Sequence, residues 1–210
     1  MNTHVLEDPM PTALEKQLSF LREIDRLKRV VRQSPLLDKS RKENSAEHSW
    51  HLAMYALILS EYANGEVDAQ RVIRMLLLHD IVEIDVGDFP IHGGASSEEQ
   101  ARLEVEAAHR LFGHLPAPQG DECLDLWLEF EDAQTDDSKF AKALDRFQPL
   151  LINVFTEGGT WSESDVTREQ VIARYGPVIQ AGAPRLWAVC EQWIAAHFRA
   201  HHTQNPAGID

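Results

Sequence analysis

The chain repeats hydrophobic residues at intervals of three and four positions through most of its length. The first such stretch predicts an amphipathic helix, because residues at this spacing lie on one face of a helical turn. Its apolar positions are Leu14, Leu18, Leu21, Ile24, Leu27 and Val31. A loop is expected around Ser34-Pro35, since a proline disfavours a helical conformation in the residue before it.

The same spacing predicts further helices along the rest of the chain. Asp68 is a suitable N-cap for one of them, and Ser96 with Glu99 forms a possible capping box for another. No segment alternates convincingly between apolar and polar residues, so no strand is predicted. We therefore expect an all-α fold, a single helical bundle of about seven to nine helices. One domain would span 1–210, with a core at about 14–156, C-terminal helices at 165–200 and a loose tail at 201–210.

Composition and charge narrow the possible functions. The 210 residues include 20 basic and 34 acidic side chains, for a net charge of −14. This balance argues against binding a nucleic-acid polymer, because phosphate backbones are bound by clustered Lys and Arg. Cys123 and Cys190 form neither a disulfide framework nor a zinc-binding CxxC. No signal peptide or membrane span is evident, so we expect a cytoplasmic protein with no membrane partner.

Three polar clusters interrupt the apolar pattern. They are His48 near the start of one helix, His79-Asp80 directly after an apolar run, and Asp145 between Leu144 and Phe147. A carboxylate near the core is costly unless it is paired or bound to a metal ion. Two imidazoles and two carboxylates form a donor set suited to divalent transition metals. The sequence therefore predicts a metal site made by these four side chains.

Each of these residues also has an ordinary explanation. His48 could be a helix cap or a buried hydrogen-bonding histidine, and an HD dipeptide is common by chance. Asp145 could form an ion pair with Arg146 or Lys142, as charges on a helix surface usually do. Taken singly, these explanations are preferable. The order His, then His-Asp, then Asp, with the members on separate helices, is much more restrictive.

In this order the chain resembles the HD-domain superfamily of metal-dependent phosphohydrolases, whose metal motif is H…HD…D. More narrowly, it is similar to the subgroup that contains the bacterial 5′-deoxynucleotidases and human HD-domain-containing protein 2. Four stretches between residues 26 and 145 carry the resemblance: Arg26–Arg32, Glu43–Ser49, His79–Glu83 with Gly87–Pro90, and Lys142–Asp145. The resemblance implies the HD-domain helical fold and one divalent ion, Mn, Co, Zn, Fe, Ni or Mg, on His48, His79, Asp80 and Asp145.

The resemblance also implies roles for residues beside the metal. Arg32 matches the arginine that binds the substrate phosphate, and Glu83 matches a glutamate that orients water or protonates the leaving oxygen. Asp88 would position the water or contact the sugar. His92 is not part of the matching stretches, but its place in the loop after Gly87-Asp88 predicts a substrate contact. Gln33 departs from the pattern, because the bacterial enzymes have a tryptophan there that helps select deoxyribose. Selectivity between deoxyribose and ribose is therefore open.

The resulting hypothesis is a phosphomonoesterase that converts nucleoside 5′-monophosphates to nucleoside and phosphate. One alternative is an HD hydrolase for another nucleotide or small phosphate ester, such as a nucleoside triphosphate or a cyclic dinucleotide. Another is a non-catalytic binding module on the same fold. By resemblance we also expect a homodimer.

Overall fold

The computed structural model describes residues 12–89 and 97–204, and these are mostly helical. Within these ranges, eight helices have ten residues or more, which confirms the predicted all-helical fold. Two single-turn helices and three 3₁₀ turns, at Asp25–Arg29, Ser60–Tyr62 and His79–Val82, join them. The helices are α1 Ala13–Ile24, α2 Ser45–Leu59, α3 Ala69–Leu78, α4 Glu83–Val86, α5 Ser97–Phe112, α6 Gln119–Asp132, α7 Asp136–Phe155, α8 Gly159–Glu163, α9 Arg168–Gly182 and α10 Pro184–Gln204.

Helix α7 lies at the centre of the bundle and packs against α2, α3, α6, α9 and α10. Twelve of its 20 residues are buried, so it is covered on most sides. Its start is fixed by Thr135, whose side chain and that of Ser138 satisfy each other's backbone N–H groups in a capping box. The capping box thereby fixes the residue at which α7 begins.

Two hydrophobic clusters fill the bundle. The main core joins α2, α3, α6, α7, α9 and α10 through residues that include Leu52, Leu76, Phe140, Leu144, Tyr175, Ile179, Trp187 and Ile194. A smaller core packs α1, α5 and α6 against the turn after α3 through Phe20, Ile81, Val82, Leu111, Phe112 and Trp127. The C-terminal helices thus contribute to the main core, whereas the sequence pattern assigned the core to 14–156. Beyond Gln204, the predicted tail lies outside the described residues.

A two-stranded hairpin follows the first helical region, where the sequence predicted only a loop. Strand β1 (Val31–Pro35) pairs antiparallel with β2 (Lys42–Asn44), with Val31 opposite Asn44. The inward positions include Arg32 and Glu43, which are polar. Strands this short, with charged rather than apolar inward residues, leave no alternation of hydrophobicity in the sequence. The expectation of no strand was therefore wrong at this point.

The predicted first helix also differs from the structure. Helix α1 ends at Ile24, and Val31 belongs to β1. Leu14, Leu18 and Leu21 are at least half exposed, whereas Phe20 is buried. The leucine spacing thus correctly indicated a helix, but it identified the wrong face as the buried one.

The His79-Asp80 pair lies in a 3₁₀ turn that directly continues α3. Asp68 caps α3 as predicted, because its carboxylate accepts hydrogen bonds from the N–H groups of Gln70 and Arg71. The apolar run before His79 is not buried all round, since Leu77 is 46% exposed. The four residues His79–Val82 are themselves buried, so the turn places the pair inside the protein. None of the helices described here is long and apolar enough to cross a bilayer.

Candidate metal and phosphate site

The four side chains predicted as metal ligands converge from three parts of the chain. His48 is in the first turns of α2, His79 and Asp80 are in the turn after α3, and Asp145 is in α7. The Nε2 atom of His48 lies 3.1 Å from Oδ1 of Asp145, and that of His79 lies 3.6 Å from the same oxygen. One ligand atom from each of these three residues lies within 4.8 Å of the others.

Asp80 completes this group, called here the donor cluster: His48, His79, Asp80 and Asp145. Its Oδ1 is 2.9 Å from Nε2 of His79, and its Oδ2 is 4.0 Å from Nε2 of His48. All four residues are less than 9% exposed. Two imidazole nitrogens and two carboxylates therefore face one another in the interior, where isolated charges would be unfavourable.

The histidine tautomers suit metal binding. Nδ1 of His79 is 2.8 Å from the carbonyl oxygen of Leu76, so Nδ1 carries a hydrogen and Nε2 is the nitrogen that faces the carboxylates of Asp80 and Asp145. The Trp127 indole N–H donates to the carbonyl of His79 and holds the turn in place. Nε2 of His79 is buried and has no well-aligned hydrogen-bond partner, although Oδ1 of Asp80 lies 2.9 Å away. This orphaned nitrogen beside two carboxylates fits a divalent cation, and the mixed nitrogen and oxygen donors agree with a transition metal.

The electrostatics keep the cluster's carboxylates ionised. Burial alone would raise the pKa of Asp145, but Arg146, His48 and His79 lower it well below its ordinary value. Nη1 of Arg146 lies 2.9 Å from Oδ2 of Asp145. Burial likewise opposes ionisation of Asp80, yet the charges of His79 and Arg32 hold its pKa below the ordinary value. Ionised carboxylates are the form that binds metal ions.

Arg32 lies on β1 with its guanidinium beside the donor cluster. Its Nη1 donates to Oδ2 of Asp80 at 2.8 Å and lies 3.5 Å from Oε1 of Glu83 and 3.4 Å from Oδ1 of Asp88. Burial would lower the pKa of Arg32, but these carboxylates raise it above its ordinary value. The predicted phosphate-binding cation is thus a permanently charged, buried group at the edge of the cluster.

Glu83 begins α4 and is mostly buried. Its Oε2 accepts a hydrogen bond from the Ser45 hydroxyl at 2.5 Å, which connects α4 to the start of α2. Burial, followed by the charge of Asp80, raises the pKa of Glu83 to about 9. A raised pKa favours the protonated carboxyl, which is the form that can act as an acid.

Asp88 lies in the segment after α4 and faces Arg32. It is mostly buried, and burial raises the pKa of its carboxyl above the ordinary value. Through its contact with Arg32, Asp88 lies next to the donor cluster. The predicted substrate contact His92 lies outside the described residues.

Three residues at the site had no role assigned from the sequence. Glu43 and Ser45 belong to the stretch that carries the family resemblance, but nothing in their spacing indicated contacts with His48 and Glu83. Gln148 follows Asp145 by three residues on α7, which puts both on one face of the helix. Its amide donates to Oε2 of Glu43 at 3.2 Å. A buried polar residue one turn from a predicted ligand was the signal that could have identified Gln148.

A cavity of about 410 Å³ opens at the donor cluster. This size is within the range of small-molecule sites and exceeds what a phosphate group alone needs. Arg32, Glu83 and Asp88 line it beside the cluster, and Gln33 lies at its wall. Further lining residues are Phe89, Gln100, Glu104, Phe130, Glu131, Lys142, Arg146 and Tyr175.

Fold and site together define a class of protein: a helical domain with clustered histidines and aspartates in the order H…HD…D, of which His79, Asp80 and Asp145 line a cavity and His48 is buried against Asp145. The family profile described as HD domain matches residues 24–187. The chain therefore belongs to the HD-domain family, as the sequence resemblance implied.

Individual relatives agree with this assignment. A solved structure from Magnetospirillum magnetotacticum MS-1, named as a predicted metal-dependent phosphohydrolase, has a TM-score of 0.83 and 50% identity over 89% of this chain and 96% of that one. The 5′-deoxynucleotidase HDDC2 of Homo sapiens is 31% identical over 135 residues, 64% of this chain and 65% of the relative. The protein of that name from Dictyostelium discoideum is 32% identical over 114 residues, 52% of this chain and 60% of the relative. The match thus spans about 60–65% of the length of these curated relatives.

Proposed function

We propose that this protein is a metal-dependent phosphomonoesterase that hydrolyses nucleoside 5′-monophosphates to nucleoside and phosphate. The observation that carries the proposal is the convergence of the donor cluster with Arg32 at one cavity. A divalent ion next to a guanidinium provides the positive charge that a phosphate ester needs for binding and cleavage. The named 5′-deoxynucleotidases among the relatives support a nucleotide as the substrate.

The donor cluster would hold one divalent ion. Mn, Co, Zn, Fe, Ni and Mg all remain candidates, because imidazole and carboxylate ligands serve each of them in proteins. When bound, the ion supplies Lewis acidity, which neutralises charge on the phosphoryl group and lowers the pKa of water. The four protein ligands would leave positions open on a six-coordinate ion for substrate and water.

Arg32 would bind and orient the phosphate. A guanidinium offers two parallel N–H donors that match two phosphoryl oxygens. Because Nη1 of Arg32 already contacts Asp80, a phosphate on Arg32 would lie beside the donor cluster. Asp88, which also contacts Arg32, would hold the guanidinium in this orientation and help to position water or the sugar. His92 stays a predicted substrate contact.

Glu83 would give its proton to the departing 5′-oxygen while water forms the new bond to phosphorus, and a proton from that water would restore the Glu83 carboxyl. Its raised pKa favours the protonated carboxyl, and the Ser45 hydroxyl fixes one of its oxygens. Protonating the alkoxide as the bond to phosphorus breaks makes it a better leaving group. Positioning and charge neutralisation supply the rest of the rate enhancement, as is general for phosphoryl transfer.

Gln33 suggests that the enzyme tolerates a ribose. It lines the cavity directly after Arg32, and its Oε1 accepts a hydrogen bond from Nζ of Lys42 at 2.7 Å. The bacterial deoxynucleotidases that this chain resembles have an aromatic ring at that position. A polar amide does not exclude a 2′-hydroxyl by shape, so we propose that ribonucleotides and deoxyribonucleotides are both substrates. The ratio of kcat/KM for dAMP and AMP measures this directly.

Phosphate release from a panel of nucleotides, with each of the six metals, tests the proposal as a whole. We expect monophosphates to yield inorganic phosphate and the Asp80→Ala variant to lose activity. Full activity in that variant would contradict the mechanism. Pyrophosphate or triphosphate as the product would instead support the alternative HD hydrolase. A native protein that binds no divalent ion would support a non-catalytic binding module.

We further propose a single-domain, cytoplasmic homodimer. The outer face of α2 exposes four large apolar side chains at helical spacing, Trp50, Met54, Leu57 and Ile58. A second copy that covers this stripe would remove it from water. Light scattering after size exclusion should report twice the monomer mass, and Ile58→Glu should shift it toward the monomer. A monomeric native protein would contradict the dimer.

A further inference from the structure

Glu43 is a buried carboxylate that connects the two halves of the candidate site. It lies on β2 with a side chain that is 3% exposed. Its Oε1 is 3.3 Å from Nδ1 of His48 and 3.6 Å from Nε of Arg32. On the other side, Oε2 accepts a hydrogen bond from Gln148 on α7. One carboxylate therefore faces both a proposed metal ligand and the proposed phosphate-binding residue.

Three buried polar atoms of Glu43, His48 and Arg32 are one another's nearest candidates for hydrogen bonding. Oε1 of Glu43, Nδ1 of His48 and Nε of Arg32 are all buried and have no well-aligned hydrogen-bond partner. Buried polar groups without a partner are rare, because their desolvation is not compensated. These atoms are also near neighbours, at the two distances given above. A shift of a few tenths of an ångström would turn both contacts into charge-assisted hydrogen bonds.

Glu43 meets His48 and Arg32, which are near it in the sequence, and Gln148, which is distant. Asn44 caps α2, so Glu43 comes directly before the helix and His48 lies in its first turns. Pairing of β1 with β2 turns Arg32 and Glu43 to the same buried side. The long-range part comes from α7, which supplies Gln148 three residues after Asp145.

A carboxylate on the far nitrogen of a metal-binding histidine has a known physical effect. It fixes the tautomer, so that the other nitrogen keeps its lone pair, and it makes the imidazole a stronger donor. For His48, Nδ1 faces Glu43 while Nε2 faces Asp145. A carboxylate on Nε of an arginine similarly restricts the plane of the guanidinium, whose Nη atoms then point at the ligand.

We propose that Glu43, anchored by Gln148, is a positioning residue that orients His48 toward the metal ion and Arg32 toward the substrate phosphate. This inference rests on the proposed function, because it takes the donor cluster as the metal site. It adds a specific consequence: one substitution at a residue that acts only through His48 and Arg32 should weaken the binding of both the ion and the phosphate.

The test compares Glu43→Gln with Glu47→Gln. Glu47 is four residues away and belongs to the α2 capping box, where glutamine can replace it. Calorimetry with Mn²⁺ or Zn²⁺ alone should show about 10- to 100-fold weaker binding for Glu43→Gln, the range found for lost partners of metal-binding histidines. At saturating metal, the inhibition constant of inorganic phosphate and the KM for dAMP should both rise. Glu47→Gln should match the native protein in all three.

Unchanged metal and phosphate binding in a folded Glu43→Gln protein would overturn the inference. So would a lower melting temperature with unchanged binding, because that result shows a structural role only. If Glu43→Gln does not fold, Gln148→Met gives the same test, with metal binding weakened several-fold if the inference holds and unchanged if it does not. Failure of the proposed function has a different result: the native protein itself would bind no ion, or Asp80→Ala would bind as well as native.

Discussion

The Nε2 atom of His48 and the Oδ1 atom of Asp145 lie 3.1 Å apart, although 97 positions separate the two residues in the chain. The contact joins the start of α2 to the middle of α7. Both side chains are buried, so separating them would leave each polar group without this partner and without water to replace it. The candidate metal site is thus a part of the tertiary packing, with ligands that the fold holds in place.

Removing the charge of Asp145 should weaken metal binding in a protein that still folds. Asp145→Asn keeps the size of the side chain but removes an anionic ligand, so we expect metal affinity to fall at least about 100-fold, more than for loss of an outer partner. Phosphatase activity at micromolar metal should fall with it. Titration with Mn²⁺ or Zn²⁺ measures the affinity. Asp125→Asn, at an exposed position on α6, is the matched control, and equal metal affinity in both variants would contradict the ligand assignment.

Replacing the planar guanidinium of Arg32 by an ammonium group should mainly affect substrate binding. Arg32→Lys retains the charge but offers no planar pair of N–H groups, so it loses a bidentate contact with phosphate. One charge-assisted hydrogen bond contributes about 1.5–3 kcal/mol, which corresponds to roughly a 10- to 150-fold lower kcat/KM. Steady-state kinetics with dAMP and AMP measure this. Arg29→Lys, at an exposed position, is the control and should have native kinetics. Native kinetics in the Arg32→Lys protein would contradict the assignment of Arg32 as the phosphate-binding residue.

The proton on Glu83 should appear in the pH profile. Only the protonated carboxyl can act as an acid, so native kcat should fall as the pH rises through the raised pKa of Glu83. Glu83→Gln cannot donate a proton, so we expect a kcat lower by about 10²–10⁴-fold and no alkaline decline from this group. Rates between pH 6 and 10 at saturating metal measure both effects. If Glu83→Gln shows the native alkaline decline, another group controls it; Glu66→Gln, at an exposed position, is the control.

The contribution of α9 to the main core can be measured as stability. Ile179 on α9 is fully buried, so Ile179→Ala should lower the free energy of unfolding by about 2–5 kcal/mol through lost burial and a residual cavity. Leu128→Ala on α6, where the side chain is 39% exposed, should cost much less. Urea unfolding followed by circular dichroism measures both. Similar losses for the two variants would contradict a core that includes the C-terminal helices.

The order of polar residues in the sequence indicated the donor cluster, because polar side chains at otherwise apolar helix positions need a partner or a metal ion. His48, His79-Asp80 and Asp145 each interrupt an apolar pattern, and the structure brings their side chains into one buried cluster. Metal binding by these residues stays a prediction. The helices were predictable for a similar reason, since a spacing of three and four residues is a strong and repeated signal.

Other features depend on tertiary contacts that no local pattern reveals. The hairpin was missed because its inward residues Arg32 and Glu43 are charged, and they contact each other and groups on distant elements such as Asp80 and Gln148. The leucines of α1 suggested a buried face, but neighbouring elements cover Phe20 instead. Gln148 had no sequence signal apart from its spacing to Asp145. In each case the partner that decides the conformation is distant in the chain.

The capping box at Thr135 has a consequence for how this protein can change. Successive residues of an α-helix are rotated by about 100°, so a single residue inserted between Ser138 and Asp145 would turn Asp145 away from His48. The same insertion would also turn Leu150 and Ile152 away from their neighbours in the interior. A one-residue insertion in this stretch of α7 should therefore disrupt the donor cluster and the core packing together.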